Sequence, residues 1–440
     1  MDRGQCLTRS PLIGKQPLTA KIQSLSFSPA DAGHLTRKEV FSMITPNDIH
    51  RIVDECKDEA IACLTEIIQC PSVTGDEEPV SHIFQKWIEK AGIPVKRYYA
   101  APNRPNLIAE WNGSQTGKTF LFNGHMDVFP PSQGNDCLYG PWSAKIVDGY
   151  LYGRGTGDMK GGDCAALMAV LFLRRLGFDP KGCVTLSYMC DEENGGWLGA
   201  KYLVNQGLLR ADFGLCMEPT NGDILNQHYG ILRMKVTYTA KPHHAGSPHP
   251  TTDALEKAIA AINRLYALDA ALTKKTDAHG NHPSCLSITV LQAGNTPNVQ
   301  PGLAEFIIDR RVDLEESTDF ALRQILAILD ELKAQDPEYN YQYELLSDRP
   351  TLVIPDDDPF IQLVRRSYEQ VMGKPAKLYV RSGGSDAATI RAAHGTVIPN
   401  FGAAHDTDEF GSGTPNERIS LSDYLDSIKY YMMTVVNAMS

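Results

Sequence analysis

The chain has 440 residues, 42% apolar and 22% charged, with a formal net charge of −11. That length supports more than one globular domain, and the acidic balance excludes nucleic acid or an anionic membrane as the main partner, because both need a basic face to displace counterions. No apolar run approaches the roughly 20 residues that span a bilayer. The ten cysteines form neither a C-x-x-C pair nor a short-spaced ladder, which excludes a disulfide framework or zinc knuckle and points to a reducing cytoplasm.

Residues 1–42 are weakly basic, dotted with Ser and Pro, and lack the apolar core of a signal peptide. They read as a disordered extension or the product of an upstream start codon, with a cleaved transit peptide as the alternative. Near Met43 the folded chain begins, with Thr45 as helix N-cap and Pro46 at the first helical position. The predicted helix over 46–69 gathers Ile49, Ile52, Val53, Cys56, Ala60, Cys63, Ile67, Ile68 and Cys70 on one face, so its seven-residue cysteine spacing reads as core rather than ligand. Cys70-Pro71 ends it.

Strand-like runs follow at 106–111, 119–123, 183–190 and 213–217, with a helix over 164–176. Each strand leads into polar or glycine-rich residues, the pattern of an α/β layer that binds ligands at its carboxyl ends. From 230 to 346 the rhythm changes to strand (231–240), helix (252–268), strands (284–293 and 304–312), helix (317–334) and strand (341–346), the order of a small α+β sandwich. A helix over 358–372, strands near 378–380 and 396–401 and a last helix over 421–439 then restore the first rhythm. The sequence thus predicts an α/β domain, residues 44–229 and 347–440, with an α+β domain inserted over 230–346.

Five strand ends carry ligand-type side chains. The run 119–123 leads into Gly124-His125-Met126-Asp127; a metal-binding His gives its second ring N–H to a carboxylate or carbonyl, and Asp127 is placed for that. Gly153-Arg-Gly-Thr-Gly-Asp158-Met-Lys-Gly-Gly162 sets one acid in a glycine-rich loop, where a carboxylate could bridge two cations; the pattern matches no phosphate-binding fingerprint. Asp191-Glu192-Glu193-Asn-Gly-Gly196 places adjacent acids after a strand, so that one could ligate metal while its neighbour moves protons. Glu218 and His405 end two further strands. His, Asp, Glu, Glu and His form a set suited to paired divalent ions. Neither H-E-x-x-H nor G-x-S-x-G occurs, which removes the single-zinc helical protease and the serine hydrolase elbow.

In order, GHMDV, GRGTGDMKGG, DEENGG, MEP and a late GxxxH resemble the co-catalytic zinc amidohydrolase and exopeptidase family of aminoacylase, acetylornithine deacetylase, succinyl-diaminopimelate desuccinylase and carboxypeptidase G2, from about Ile44 onward. The resemblance implies a zinc-exopeptidase-like catalytic domain with an inserted lid and dimerisation domain, and two divalent ions, zinc first with cobalt or manganese as alternatives. It implies that His125 and Glu218 hold one ion, Glu193 and His405 the other, that Asp158 bridges, and that the bond after Asp158 is cis. It makes Glu192 the general base, and Asp127, as the partner of His125, counts with it among the catalytic residues. Pro242-His-His244-Ala-Gly-Ser-Pro248 resembles the motif whose His, here His244, reaches across a homodimer to stabilise an oxyanion. Asn298 and Arg311 resemble lid residues that clamp a substrate carboxylate, and Ser385, in Arg381-Ser-Gly-Gly-Ser-Asp386, resembles part of the pocket rim. His405 is followed by both Glu409 and Glu417, two candidates for the acid that precedes the last helix.

The implied function is amide hydrolysis of an N-acyl amino acid. Metallo-exopeptidase cleavage of a dipeptide or short peptide is the alternative, and an inactive metal-binding dimeric module is disfavoured because a mere binder has no use for Glu192. A dinucleotide oxidoreductase lacks its glycine fingerprint.

Overall fold

The computed structural model describes residues 44–132, 137–247, 252–276, 284–404 and 410–440; the expected extension over 1–42 lies outside them. Thr45 caps the first helix, Pro46–Glu55, through a reciprocal bond pair with Asp48. The helix expected over 46–69 is broken at Cys56 (φ −108°, ψ 14°), and a second helix, Lys57–Ile68, follows. The break serves packing: the first segment lies on Leu421–Met439 and Pro359–Met372, the second on Lys160–Arg175.

The larger sheet has nine strands. Its centre is parallel: Gln115–His125 lies between Lys181–Met189 and Phe213–Pro219, and Asn400–Gly402 pairs in parallel with Phe213–Pro219. Parallel strands are covered on both faces, so they read as continuous apolar runs. Helix Lys160–Arg175 is buried from Lys160 to Leu173, since it lies within the core against the sheet and the helix Leu421–Met439. Gly162 permits this closeness, because a Cβ there would stand 2.3 Å from the Met217 carbonyl oxygen. One consequence matters for function: His125 and Glu218 lie at or near the carboxyl ends of neighbouring parallel strands, and Glu192 and Glu193 begin three residues past the end of a third.

Between the two stretches of this layer lies a four-stranded antiparallel sheet, ordered Cys285–Ala293, Leu303–Val312, Gly230–Thr239 and Tyr341–Arg349. Helices Ala254–Leu272 and Thr318–Gln335 pack on it, with Asp253 and Ser317 as side-chain N-caps. Alternating residues of its strands, among them Met234, Val236, Phe306 and Ile308, join Ala258, Leu265, Ile325 and Leu329 in a second apolar core. The strand expected over 341–346 runs three residues further, to Arg349. Among the described residues no helix is long and apolar enough to cross a membrane.

Phe306 is fully buried in the small core, so Phe306→Ala should destabilise the protein by about 3–5 kcal/mol, the usual range for emptying an aromatic site. Urea unfolding measures this; a loss below about 0.5 kcal/mol, typical of surface positions, contradicts a close-packed core there.

Candidate active site

His125 is 1% exposed. One nitrogen, Nδ1, sits 2.9 Å from the main-chain carbonyl of Asp127, while Nε2 faces Asp158 Oδ1 at 3.1 Å and Glu218 Oε1 at 3.7 Å. Ligand atoms of His125, Asp158 and Glu218 lie within 4.8 Å of one another. The expectation that Asp127 takes the second ring N–H is thus met by its main-chain carbonyl, since its carboxylate oxygen is 3.6 Å away. The Asp127 carboxylate instead accepts the Thr74 hydroxyl (2.9 Å) and the backbone N–H groups of Glu192 (3.1 Å) and Glu193 (3.2 Å), so it pins the loop that carries the paired acids.

Asp158 depends on a different anchor. Arg154 donates to Glu417 at 2.5 Å, and the other Glu417 oxygen accepts the N–H groups of Gly155 (3.0 Å), Gly157 (2.8 Å) and Asp158 (3.2 Å). A buried carboxylate thus templates the loop, and Gly155, at φ +85°, takes a path open to glycine. Of the two acids considered before the last helix, Glu417 is the one that holds Asp158 in place; Glu409 lies outside the described residues. The Asp158–Met159 bond is cis.

Asp191, Glu192 and Glu193 divide. Asp191 takes left-handed backbone (φ 71°) and turns away to accept Arg104 (2.9 Å) and the Leu198 N–H (3.0 Å). Glu192 and Glu193 face a cavity of about 370 Å³, which Asp158, Glu218, Arg233, Arg311, Arg349 and Arg381 also line. Arg349 grips Glu192 twice, on Oε1 and on the main-chain carbonyl. The other Glu192 oxygen lies 3.8 Å from His125 Nε2.

The electrostatics follow from burial and crowding. Burial, with the Asp158 charge adding to it, pushes Glu218 up to about 7; burial, opposed by His125, pushes Asp127 up to about 6. Burial also drives Glu193 well above the carboxylate range, and its Oε1 has no hydrogen-bond partner among the described residues. His125 shows the converse: burial works against its charge, but hydrogen bonds to Asp158 and Glu218 outweigh it and hold the imidazole well above its usual value. Acids crowded together at a buried end of the sheet, around a histidine they would protonate, fit divalent cations: a cation replaces the proton and meets the carboxylate oxygens.

The remaining expected residues separate. Arg311 lines the cavity, its Nε on Asp309 at 2.7 Å and Nη1 on the Ser382 carbonyl at 3.0 Å. Ser385 does not line it: the side chain is fully buried and its hydroxyl meets His228 Nε2 at 3.1 Å, so the pocket-rim expectation is corrected to Ser382, Gly383 and Gly384. His244 and Asn298 sit together on an exposed two-stranded ribbon of the small layer, where Asn298 accepts the Ala245 N–H at 2.9 Å. Neither lines the cavity of its own chain. His405 lies outside the described residues. Sequence reasoning missed Arg349, Arg233 and Arg381, since an arginine within or at the end of a strand carries no signal that separates it from a surface ion pair.

A model of the peptidase family M20/M25/M40 matches residues 121–437. A protein named succinyl-diaminopimelate desuccinylase from Methylorubrum extorquens (strain PA1) is 30% identical over 368 residues, covering 79% of this chain and 93% of that protein. Among solved structures, an M20 family metallo-carboxypeptidase from Sulfolobus solfataricus superposes with a TM-score of 0.71 at 18% identity, over 87% of this chain and all of that one. A Bacillus subtilis protein described as a dinuclear metal binding peptidase of the M20 family gives 0.61 at 16%, over 88% and 99%.

A carboxylate raised on folding binds protons in the native state that the unfolded chain has released, so its stability contribution is lost as pH rises from the unfolded value to the folded one. For Glu218 that window runs from 4.5 to about 7. Metal binding needs the deprotonated acids. Thermal melts with and without a chelator should therefore show a gap in Tm that widens from pH 5 to pH 8; a gap independent of pH contradicts the carboxylate cluster as the binding site.

Proposed function

As a member of peptidase family M20/M25/M40 this chain is a metal-dependent hydrolase of amide bonds, and we propose that it deacylates an N-acyl amino acid. One observation carries the reading: the same cavity sets Asp158, Glu192, Glu193 and Glu218 against Arg233, Arg311 and Arg381, so an amide at the acids has guanidinium groups within reach of its carboxylates. The relative named for removing a succinyl group supports it.

His125, Asp158 and Glu218, with Glu193 and His405, would hold two divalent ions, zinc first and cobalt or manganese as alternatives. Such ions, when bound, polarise a carbonyl and acidify water. The chain supplies the rest. Glu192 takes the proton of the attacking water and returns it to the departing nitrogen. Asp127 fixes the backbone under Glu192 and Glu193 through their N–H groups. Arg311 receives the substrate carboxylate, and a second copy of the chain brings Asn298 to that carboxylate and His244, with an N–H, to the oxyanion.

The reading assigns residues 44–229 and 347–440 to a catalytic domain and 230–346 to a lid and dimerisation domain. Cys285–Ala293 is an edge strand that exposes Val290 and Leu291, beside exposed Val299 and Leu303, an apolar edge suited to pairing with a second copy. The nine described cysteines are free, which suits a cytoplasmic setting. Exopeptidase cleavage is the second reading, favoured by the likeness to a metallo-carboxypeptidase.

A panel of N-succinyl and N-acetyl amino acids against unblocked dipeptides, with zinc, cobalt or manganese added, separates the two: turnover confined to dipeptides rejects deacylation. Glu192→Gln should keep its metals and lose at least 10²-fold in kcat; near-normal turnover puts the base elsewhere. Val290→Lys with Leu291→Lys should convert a dimer to monomer in sedimentation velocity and lower activity with it; full activity as a monomer removes the role of His244.

A further inference from the structure

The chain passes between its two sheets twice, and the two crossings run side by side. Ile224–His228 belongs to the nine-stranded sheet and Gly230–Thr239 to the four-stranded one; on the way back, Arg349 is the last residue of its strand and pairs with Ile231, while Leu352 already pairs with His228. Arg349 therefore stands at the crossing. Its side chain is 8% exposed and reaches Glu192, itself 6% exposed.

Two features distinguish this contact from an ordinary buried ion pair. Both prongs of the guanidinium close on one residue, the carboxylate Oε1 and the main-chain carbonyl of Glu192, which fixes the backbone and the side-chain torsions together. The oxygen left over, Oε2, is the one that faces His125. The loop is docked on the same strand at a second place, where Trp197 Nε1 donates to the Leu346 carbonyl at 3.0 Å and Gly195 lies so close that a Cβ would stand 2.8 Å from that oxygen.

The geometry points to Arg349 as the positioning residue of the proposed base: it holds one Glu192 oxygen so that the other is aimed at the reacting centre, and it ties that aim to the strand on which the lid layer joins the catalytic layer. The inference rests on the role given to Glu192 above. Lysine cannot replace it, because one ammonium nitrogen does not span the two oxygens that the planar fork meets.

The test uses the full-length, metal-loaded protein with Arg349→Ala and Arg349→Lys. Arg349→Ala is expected to lower kcat on the order of 10²-fold, the scale of a mispositioned catalytic group. KM should stay within about threefold, metal content should be unchanged, and added methylguanidinium should restore kcat saturably. Arg349→Lys should also lose kcat at constant KM, and it carries the test if the alanine variant does not fold. Unchanged kcat in either variant overturns the inference, as does a raised KM with kcat kept, which would make Arg349 a substrate contact, or a loss of bound metal without rescue. The two readings fail separately: an active Glu192→Gln variant removes the base itself, whereas an inactive Glu192→Gln beside fully active Arg349 variants removes only the positioning role.

Discussion

The constraint that organises this molecule is the burial of many carboxylates at one end of a parallel sheet. An ionised acid withdrawn from water is tolerated only when a charge or a set of donors replaces the lost hydration. Most of the acids here meet that demand with protein groups: Glu77 and Asp191 share Arg104, Glu417 has Arg154 and a cradle of backbone N–H groups, Glu192 has Arg349, and Asp127 caps the loop of Glu192 and Glu193. Asp386 and Asp163 are not so matched, and burial pushes Asp386 up to about 7 and Asp163 well above its usual value, toward the neutral form. What remains is the group around His125, which the protein leaves for cations.

Sheet topology explains why that group forms. Parallel strands end on the same side, so residues far apart in sequence, His125, Glu192 and Glu218, arrive together without any local motif linking them. Asp158 enters from a loop, and a loop has no ladder to hold it. The chain answers with Glu417, 259 residues away, whose carboxylate supplies by side chain the hydrogen bonds that a strand partner would supply by backbone. The loop that carries Asp158 is here held by an acid that does not itself line the cavity.

This division sets what the sequence discloses. The strands that bear His125 and Glu218 are long apolar runs with a polar residue at the end, and that contrast is visible in one dimension; so is the change of rhythm between 230 and 346. Short or edge elements, such as Val95–Ala101, Ile224–His228 and Asp386–His394, lack enough periodicity to be seen. The break at Cys56 is dictated by what two helical segments pack on, which no local propensity encodes. Asp127 was legible as the partner of His125 but not as the anchor of the loop of Glu192 and Glu193, because a His and an Asp two apart offer both a carbonyl and a carboxylate to the ring. Arg349 was hidden for another reason. Its meaning lies in the place where two sheets meet, and a strand that continues three residues past its last apolar position announces nothing of that.

The crossings between the two layers also couple the small layer to the site. At one crossing His228, which burial holds down at about 3 and so keeps neutral, fixes Ser385 beneath the glycine-rich rim of the cavity. At the other, Arg349 fixes Glu192. Any rotation of the small layer must be absorbed at 228–230 and 349–352, because the covalent chain passes nowhere else. Each crossing therefore carries a side chain that holds a group of the site, His228 on Ser385 and Arg349 on Glu192. A movement that alters the angle between the sheets cannot leave those two groups where they were, whereas the strand ends that present His125 and Glu218, deep in the large sheet, are shielded from it by the stiffness of a close-packed interior.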